Sequence, residues 1–136
     1  METYKIAHFG TFDASELDSE IIAIYNNNLE ALKKLLGKKI NKIIKIKGKY
    51  TESFTPLEMA LYLNKKDIIK YLYENNASYK GKFHPKPIEI ALRCCDAETV
   101  LMFKNDLESM DEEKKAELLK TIFWGDNKAE NIEALE

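Results

Sequence analysis

The sequence is poor in the residues that punctuate β-rich and disulfide-bonded chains. It holds 5 Gly, 3 Pro and 2 Cys among 136 residues. So few glycines and prolines exclude an all-β design built on many tight turns. The two cysteines, Cys94 and Cys95, are adjacent, and a bond between them would force the peptide that joins them out of its planar trans geometry. Reduced thiols in a reducing compartment, the cytoplasm, are therefore expected. No apolar run approaches the ~20 residues of a membrane-spanning helix. The opening METYKIAHFGTFDASELD lacks a basic patch followed by an apolar run, so no secretory signal is expected. Histidine is scarce too, with only His8 and His84. No H-E-x-x-H, C-x-x-C or EF-hand pattern occurs, and neither a metal nor another cofactor is expected.

What is abundant is Lys, Glu, Leu, Ala and Ile, a mixture that favours helix. Hydrophobic residues make up 45% and charged residues 32% of the chain, the balance of one globular domain. The net charge is only −2, but it is unevenly spread. Residues 1–30 carry six acids and one lysine, residues 31–97 fifteen basic residues and six acids, and residues 98–136 eleven acids and five lysines. A basic middle thus lies between acidic ends, a field that can steer a charged partner without setting the fold.

The densest part of that middle is KKLLGKKINKIIKIKGKY, residues 33–50, with eight lysines and no acid. Such lysines could contact phosphates and release counterions, with Tyr50 available to stack. Yet the run contains no arginine for bidentate reading of bases. Its interleaved Ile40, Ile43, Ile44 and Ile46 read as a segment packing on the core with the lysines solvated. Nucleic-acid contact through 33–50 is the alternative; a basic patch facing solvent or protein is the main expectation.

Three copies of one pattern run along the chain. In TPLEMALYLNKKDIIKYL (55–72), Thr55 is a natural N-cap and Pro56 suits the first helical turn. Leu57, Ala60 and Leu61 share a helical face. Asn64 suits a left-handed helix end, and Asp67 favours the start of a second helix, whose apolar face is Ile68, Ile69, Leu72 and Tyr73. Residues 21–36 overlay this unit with a shift of 37: Ala23 meets Ala60, Asn27 meets Asn64, Glu30 meets Asp67, Leu32 meets Ile69 and Leu35 meets Leu72. Residues 86–103 overlay it with a shift of 31: Pro87 meets Pro56, Glu89 meets Glu58, Ala91 meets Ala60 and Val100 meets Ile69. A fainter fourth copy runs through 116–135, with Gly125 at the Asn64 position.

The unit TPLEMALYLNKKDIIKYLYENNAS resembles an ankyrin repeat. The match rests on Thr55, Pro56, Leu57, Ala60, Ile68, Ile69, Leu72 and Ala77. Glu58 and Glu89 stand where that family has His, Asn64-Lys65 where it has Gly-His, and Asn76 where it has Gly. Spacings of 37 and 31 also depart from its usual repeat length. The resemblance implies an all-α, ankyrin-like helix–turn–helix solenoid of three to four repeats in a single domain over 1–136. Its expected parts are a lead-in over 1–16, repeats over 17–48, 49–80 and 81–106, and a degenerate capping repeat over 107–136.

The resemblance also implies where a partner would sit, because such stacks bind proteins through the segments between repeats and through their first helices. Those positions fall on Tyr25 and Asn26 in the first repeat. In the second they fall on Thr51, Glu52, Phe54, Tyr62 and Leu63. In the third they fall on Lys82, Phe83, Arg93 and Cys94. Tyr, Phe and Arg are the types enriched at interface hot spots. Catalytic readings are weaker. Cys94 with His84 could make a nucleophile and base, but Cys94 falls at the end of a helix, where small residues pack between repeats. Gly10 stands alone, so no phosphate-cradling loop is expected. Asp111, Glu112 and Glu113 read as an acidic first turn, and Trp124 as core. The expectation is a non-enzymatic, protein-binding chain, a small adaptor or an immunity-type inhibitor, whose partner carries an acidic surface.

Overall fold

The computed structural model describes residues 3–6, 9–48, 51–79 and 87–103, together with the helical residues 112, 113 and 116. The chain divides into two compact units, Met1–Lys80 and Gly81–Glu136.

The first unit alternates β-hairpins with helix pairs. Strand β1 (Thr3–Ile6) pairs antiparallel with β2 (Gly10–Asp13), Thr3 opposite Asp13 and Ile6 opposite Gly10. A helical turn at Ala14–Glu16 leads to α1 (Ser19–Tyr25) and α2 (Leu29–Leu36). Strand β3 (Ile44–Lys47) then pairs antiparallel with β4 (Thr51–Phe54), Ile44 opposite Phe54 and Lys47 opposite Thr51. The unit closes with α3 (Pro56–Leu63) and α4 (Lys66–Glu74). Helix α1 packs on both α2 and α3, and α3 on α4.

Among the described residues, helix pairs occupy the three stretches that share the repeated pattern. The expected all-α solenoid does not form: the structure is mixed α/β, with two small antiparallel sheets among the described residues. The reason is the period of the apolar residues. In TYKI, Tyr4 and Ile6 are buried and Thr3 and Lys5 exposed; in IKIK, Ile44 and Ile46 are buried and Lys45 and Lys47 exposed. A period of two puts one face on the core only when the backbone is extended. Pairing into hairpins then satisfies the backbone groups along each inner edge.

The segment that follows the first hairpin is tied to β3. Leu17 forms an isolated antiparallel bridge with Ile46. The Asp18 N–H donates to the Lys45 carbonyl at 3.1 Å, and the Lys45 N–H donates to the Asp18 carboxylate at 2.8 Å. Gly48 lies against Phe12, whose ring a Cβ at that position would meet at 2.9 Å. A side chain there would have to displace the Phe12 ring, so the constraint at Gly48 is one of space and not of backbone angle.

Helix ends follow the sequence closely. The Thr55 hydroxyl accepts from the Glu58 N–H at 3.3 Å, and the Glu58 carboxylate accepts from the Thr55 N–H at 2.8 Å. This reciprocal capping box explains Glu58, which is only 2% exposed, and Pro56 follows at the first helical position. Asn27, Asn64 and Asn76 each end a helix at φ of 54°, 52° and 61°, the left-handed region that asparagine tolerates better than most side chains. The core between helices is Ile21, Ile24, Leu32, Leu57, Leu61, Ile68, Ile69 and Leu72, all fully buried or nearly so. Burial of side chains this size contributes about 1.5–3 kcal/mol each. One expected match fails: α2 buries Leu32 and Leu36, one turn apart, and leaves Leu35 exposed.

In the second unit, α5 (Pro87–Cys94) and α6 (Ala97–Met102) form the third helix pair. Asp96 caps α6, its carboxylate accepting from the Thr99 N–H at 3.1 Å. Ala91, the counterpart of Ala23 and Ala60, is buried like both of them, as is Val100. Glu112 and Glu113 are helical and exposed. Asp111, Trp124 and nearly all of the fourth copy lie outside the described residues.

Candidate partner-binding surface

Tyr25 ends α1 and Tyr62 lies one residue from the end of α3. They hold the same position in their helix pairs, and α1 and α3 are packed together. Both are half-buried, and each stands against a hairpin aromatic. Tyr25 meets Tyr4 edge to face, centroids 5.0 Å apart at 86°. Tyr62 meets Phe9 at 5.0 Å and 88°, and Phe54 at 5.8 Å and 76°. Phe9 and Phe54 complete the triangle at 5.0 Å and 82°. Edge-to-face contacts of this kind fix ring orientation and add to area burial. The tyrosines are thus held rigidly while part of each stays open to solvent.

The neighbours of this row are polar. Lys65, in the turn between α3 and α4, places its ammonium 5.7 Å from the Tyr25 ring centroid. Asn26 is exposed at the end of α1, and its N–H donates to the Ile22 carbonyl at 3.0 Å. Thr51 and Glu52 are exposed on β4, and Leu63 is half-buried at the end of α3. Phe54 is different: although the resemblance places it on a projecting segment, it is buried. It is the last residue of β4, where the chain turns in to start α3, and it forms the floor under Tyr62 rather than a contact. Arg93, half-buried near the end of α5, holds in its own pair the position of Tyr25 and Tyr62. Lys82 and Phe83 lie outside the described residues. Tyr4 and Phe9 carry no mark as surface residues in the sequence, although the alternation Tyr4–Lys5–Ile6 is the signal of a strand.

Acids of the first thirty residues neutralise part of the lysine run. Lys42 pairs with the buried carboxylate of Glu20, Lys47 with Asp18 at 3.4 Å, and Lys33 with Glu30 at 3.6 Å. The hydrogen bond and the charge of Glu20 hold the Lys42 ammonium above its ordinary pKa. Lys33 also lies 4.9 Å from the centroid of Tyr71 on α4. Lys49 and Tyr50 lie outside the described residues.

For chemistry there is little. Among the described residues no cluster of three or more His, Cys, Asp or Glu is arranged to hold a metal, and His8 and His84 lie outside them. Cys94 and Cys95 are unbridged and buried; burial first, then Cys94 and Asp96, pushes the Cys95 thiol far above the range in which it ionises. A thiol so held is a poor nucleophile. No helix among the described residues is long and apolar enough to cross a membrane. Comparisons with protein-family models, with curated proteins and with solved structures give no match.

Proposed function

We propose that the chain is a non-catalytic protein-binding module, acting in the cytoplasm as a small adaptor or an immunity-type inhibitor. One observation carries this reading. Tyr25 and Tyr62, at matching positions of two packed helices, are half-exposed and braced by Tyr4, Phe9 and Phe54. Rigid, partly open aromatic rings lose little entropy on contact, and their type dominates interface energetics. Exposed Thr51, Glu52 and Asn26 would form the polar rim.

The resemblance of 55–78 to an ankyrin repeat supports the same class of function, by analogy alone. The pairing of Lys42 and Lys47 with Glu20 and Asp18 weakens the case for nucleic acid, since those ammoniums are already engaged. The exposed lysines that remain favour a partner with an acidic surface.

The test is capture from a lysate of the source cells with wild-type chain and with a Thr51→Ala/Glu52→Ala/Tyr62→Ala variant side by side. A protein retained by the wild type in moderate salt and lost by the folded variant is the expected result. Retention of the same protein by both would place the contact elsewhere.

A further inference from the structure

The first helix pair leaves open what the second one buries. Leu72 of α4 is fully buried, whereas Leu35, its counterpart in α2, is 41% exposed. Ile43 is 45% exposed, although Ile44 and Ile46 beside it are buried. Ile43 immediately precedes β3 and is exposed, as is Lys45 within the strand. Both open side chains fall within the lysine run.

The internal ion pairs sort the lysines of that run. Lys33, Lys42 and Lys47 are held by Glu30, Glu20 and Asp18. Lys34, Lys38, Lys39 and Lys45 are exposed and have no ion-pair partner among the described residues. The backbone that carries them is braced. Gly37 N–H donates to the Lys33 carbonyl at 3.0 Å, Lys39 N–H to Leu36 at 2.8 Å, and Lys42 N–H to Lys39 at 3.0 Å. Asn41 is held in turn by Ser78. Four free cations and two open aliphatic side chains therefore project from twelve residues of fixed backbone.

We infer that Lys34–Lys45 is a docking site for an acidic polypeptide segment bearing apolar side chains. Carboxylates would meet Lys34, Lys38, Lys39 and Lys45, and the apolar side chains would cover Leu35 and Ile43. Charge complementarity selects an anionic occupant. The aliphatic pair, with no arginine and no aromatic ring in the segment, selects a polypeptide over nucleic acid, which is read by bidentate and stacking contacts. Leu35 and Ile43 each expose less than half of their residue surface, which suits contact with another side chain better than entry into a bilayer. The inference rests on the protein-binding reading and gives the partner its chemistry, but it uses none of the residues of the tyrosine row.

The test uses the whole chain and four labelled probes at low salt: poly(Glu,Tyr) copolymer, poly(Glu), single-stranded poly(U), and phosphatidylserine–phosphatidylcholine vesicles. Poly(Glu,Tyr) is expected to bind roughly fivefold tighter than poly(Glu), and both more weakly as salt rises. Lys34→Glu/Lys38→Glu/Lys39→Glu should lower both affinities by roughly tenfold or more. Leu35→Ser/Ile43→Ser should bring poly(Glu,Tyr) down to the level of poly(Glu). These side chains are exposed, so circular dichroism should be unchanged. No binding of poly(Glu,Tyr), equal binding by the lysine variant, or tighter binding of poly(U) or vesicles would overturn the inference. Thr51→Ala/Glu52→Ala should leave polymer binding intact. If Tyr62→Ala, folded by circular dichroism, binds the polymers as the wild type does and keeps unaltered affinity for the captured cellular partner, the tyrosine-row reading fails while the docking site stands.

Discussion

The side-chain carbonyl of Asn41 accepts a hydrogen bond from the Ser78 N–H at 2.8 Å, across an interval of 37 residues. That is also the spacing between the first two helix pairs, so the loops that follow them are joined at equivalent positions. Ser78 is bound a second time, its carbonyl accepting from the Thr55 hydroxyl at 2.7 Å. One loop thus links the end of the second pair both to its own start and to the loop of the first.

Asn41→Ala removes the acceptor and leaves the Ser78 N–H to water. The expected loss is about 1 kcal/mol in urea unfolding, and Asn41→Asp, which keeps the oxygen, should lose less. A loss below a few tenths for Asn41→Ala would show that the link does not hold the loops.

Thr55→Ala should be more damaging. It deletes the cap of α3 and the bond to Ser78 together, and capping losses alone run at about 1–2 kcal/mol. Thr55→Ser keeps the oxygen and should stay near wild type. Glu58→Gln keeps an acceptor for the Thr55 N–H and should be milder than Glu58→Ala, read again by urea denaturation.

Much of this was legible in the sequence and some was not. Thr55-Pro56, Asn64 and Asp67 mark the ends of helices at the places where the structure has them. The Thr-x-x-Glu of the capping box is equally visible, yet comparison with a repeat family turns Glu58 into a missing histidine instead of a partner for Thr55. The hairpins escaped because each strand is four residues long and lysines fill its outer positions. A lysine-rich run hides the period of two in Ile44 and Ile46. In the candidate surface, the equivalence of Tyr25 and Tyr62 follows from the repeat spacing. The burial of Phe54 and the bracing by Tyr4 and Phe9 do not, since both depend on hairpins that the helical reading omits.

The Glu20–Lys42 pair predicts an unequal mutant cycle. Lys42→Gln leaves the buried Glu20 carboxylate without its cation and should destabilise more than Glu20→Gln/Lys42→Gln, which removes both charges. The pH dependence has a definite sign. Because the folded Lys42 pKa is raised, its contribution is fully present below the ordinary lysine value and is lost as pH rises through the raised one. Wild-type unfolding midpoints should therefore fall more steeply than those of Lys42→Gln at strongly alkaline pH.

Cys94 and Cys95 should resist a thiol-reactive dye at neutral pH in the folded chain and react fully after denaturation. The raised Cys95 pKa and the burial of both thiols require this order. Rapid labelling of both in the native state would contradict it.

The central claim is that Tyr25 and Tyr62 present one protein-binding surface with Thr51 and Glu52 at its edge. Its most direct measurement is affinity for the captured partner, by calorimetry, with wild type, Tyr62→Ala, and Thr51→Ala/Glu52→Ala, each checked for folding by circular dichroism. The account predicts that Tyr62→Ala loses at least about 2 kcal/mol of binding and the strand variant a smaller amount, with thermal stability of the strand variant unchanged. Unaltered affinity in folded Tyr62→Ala would contradict it.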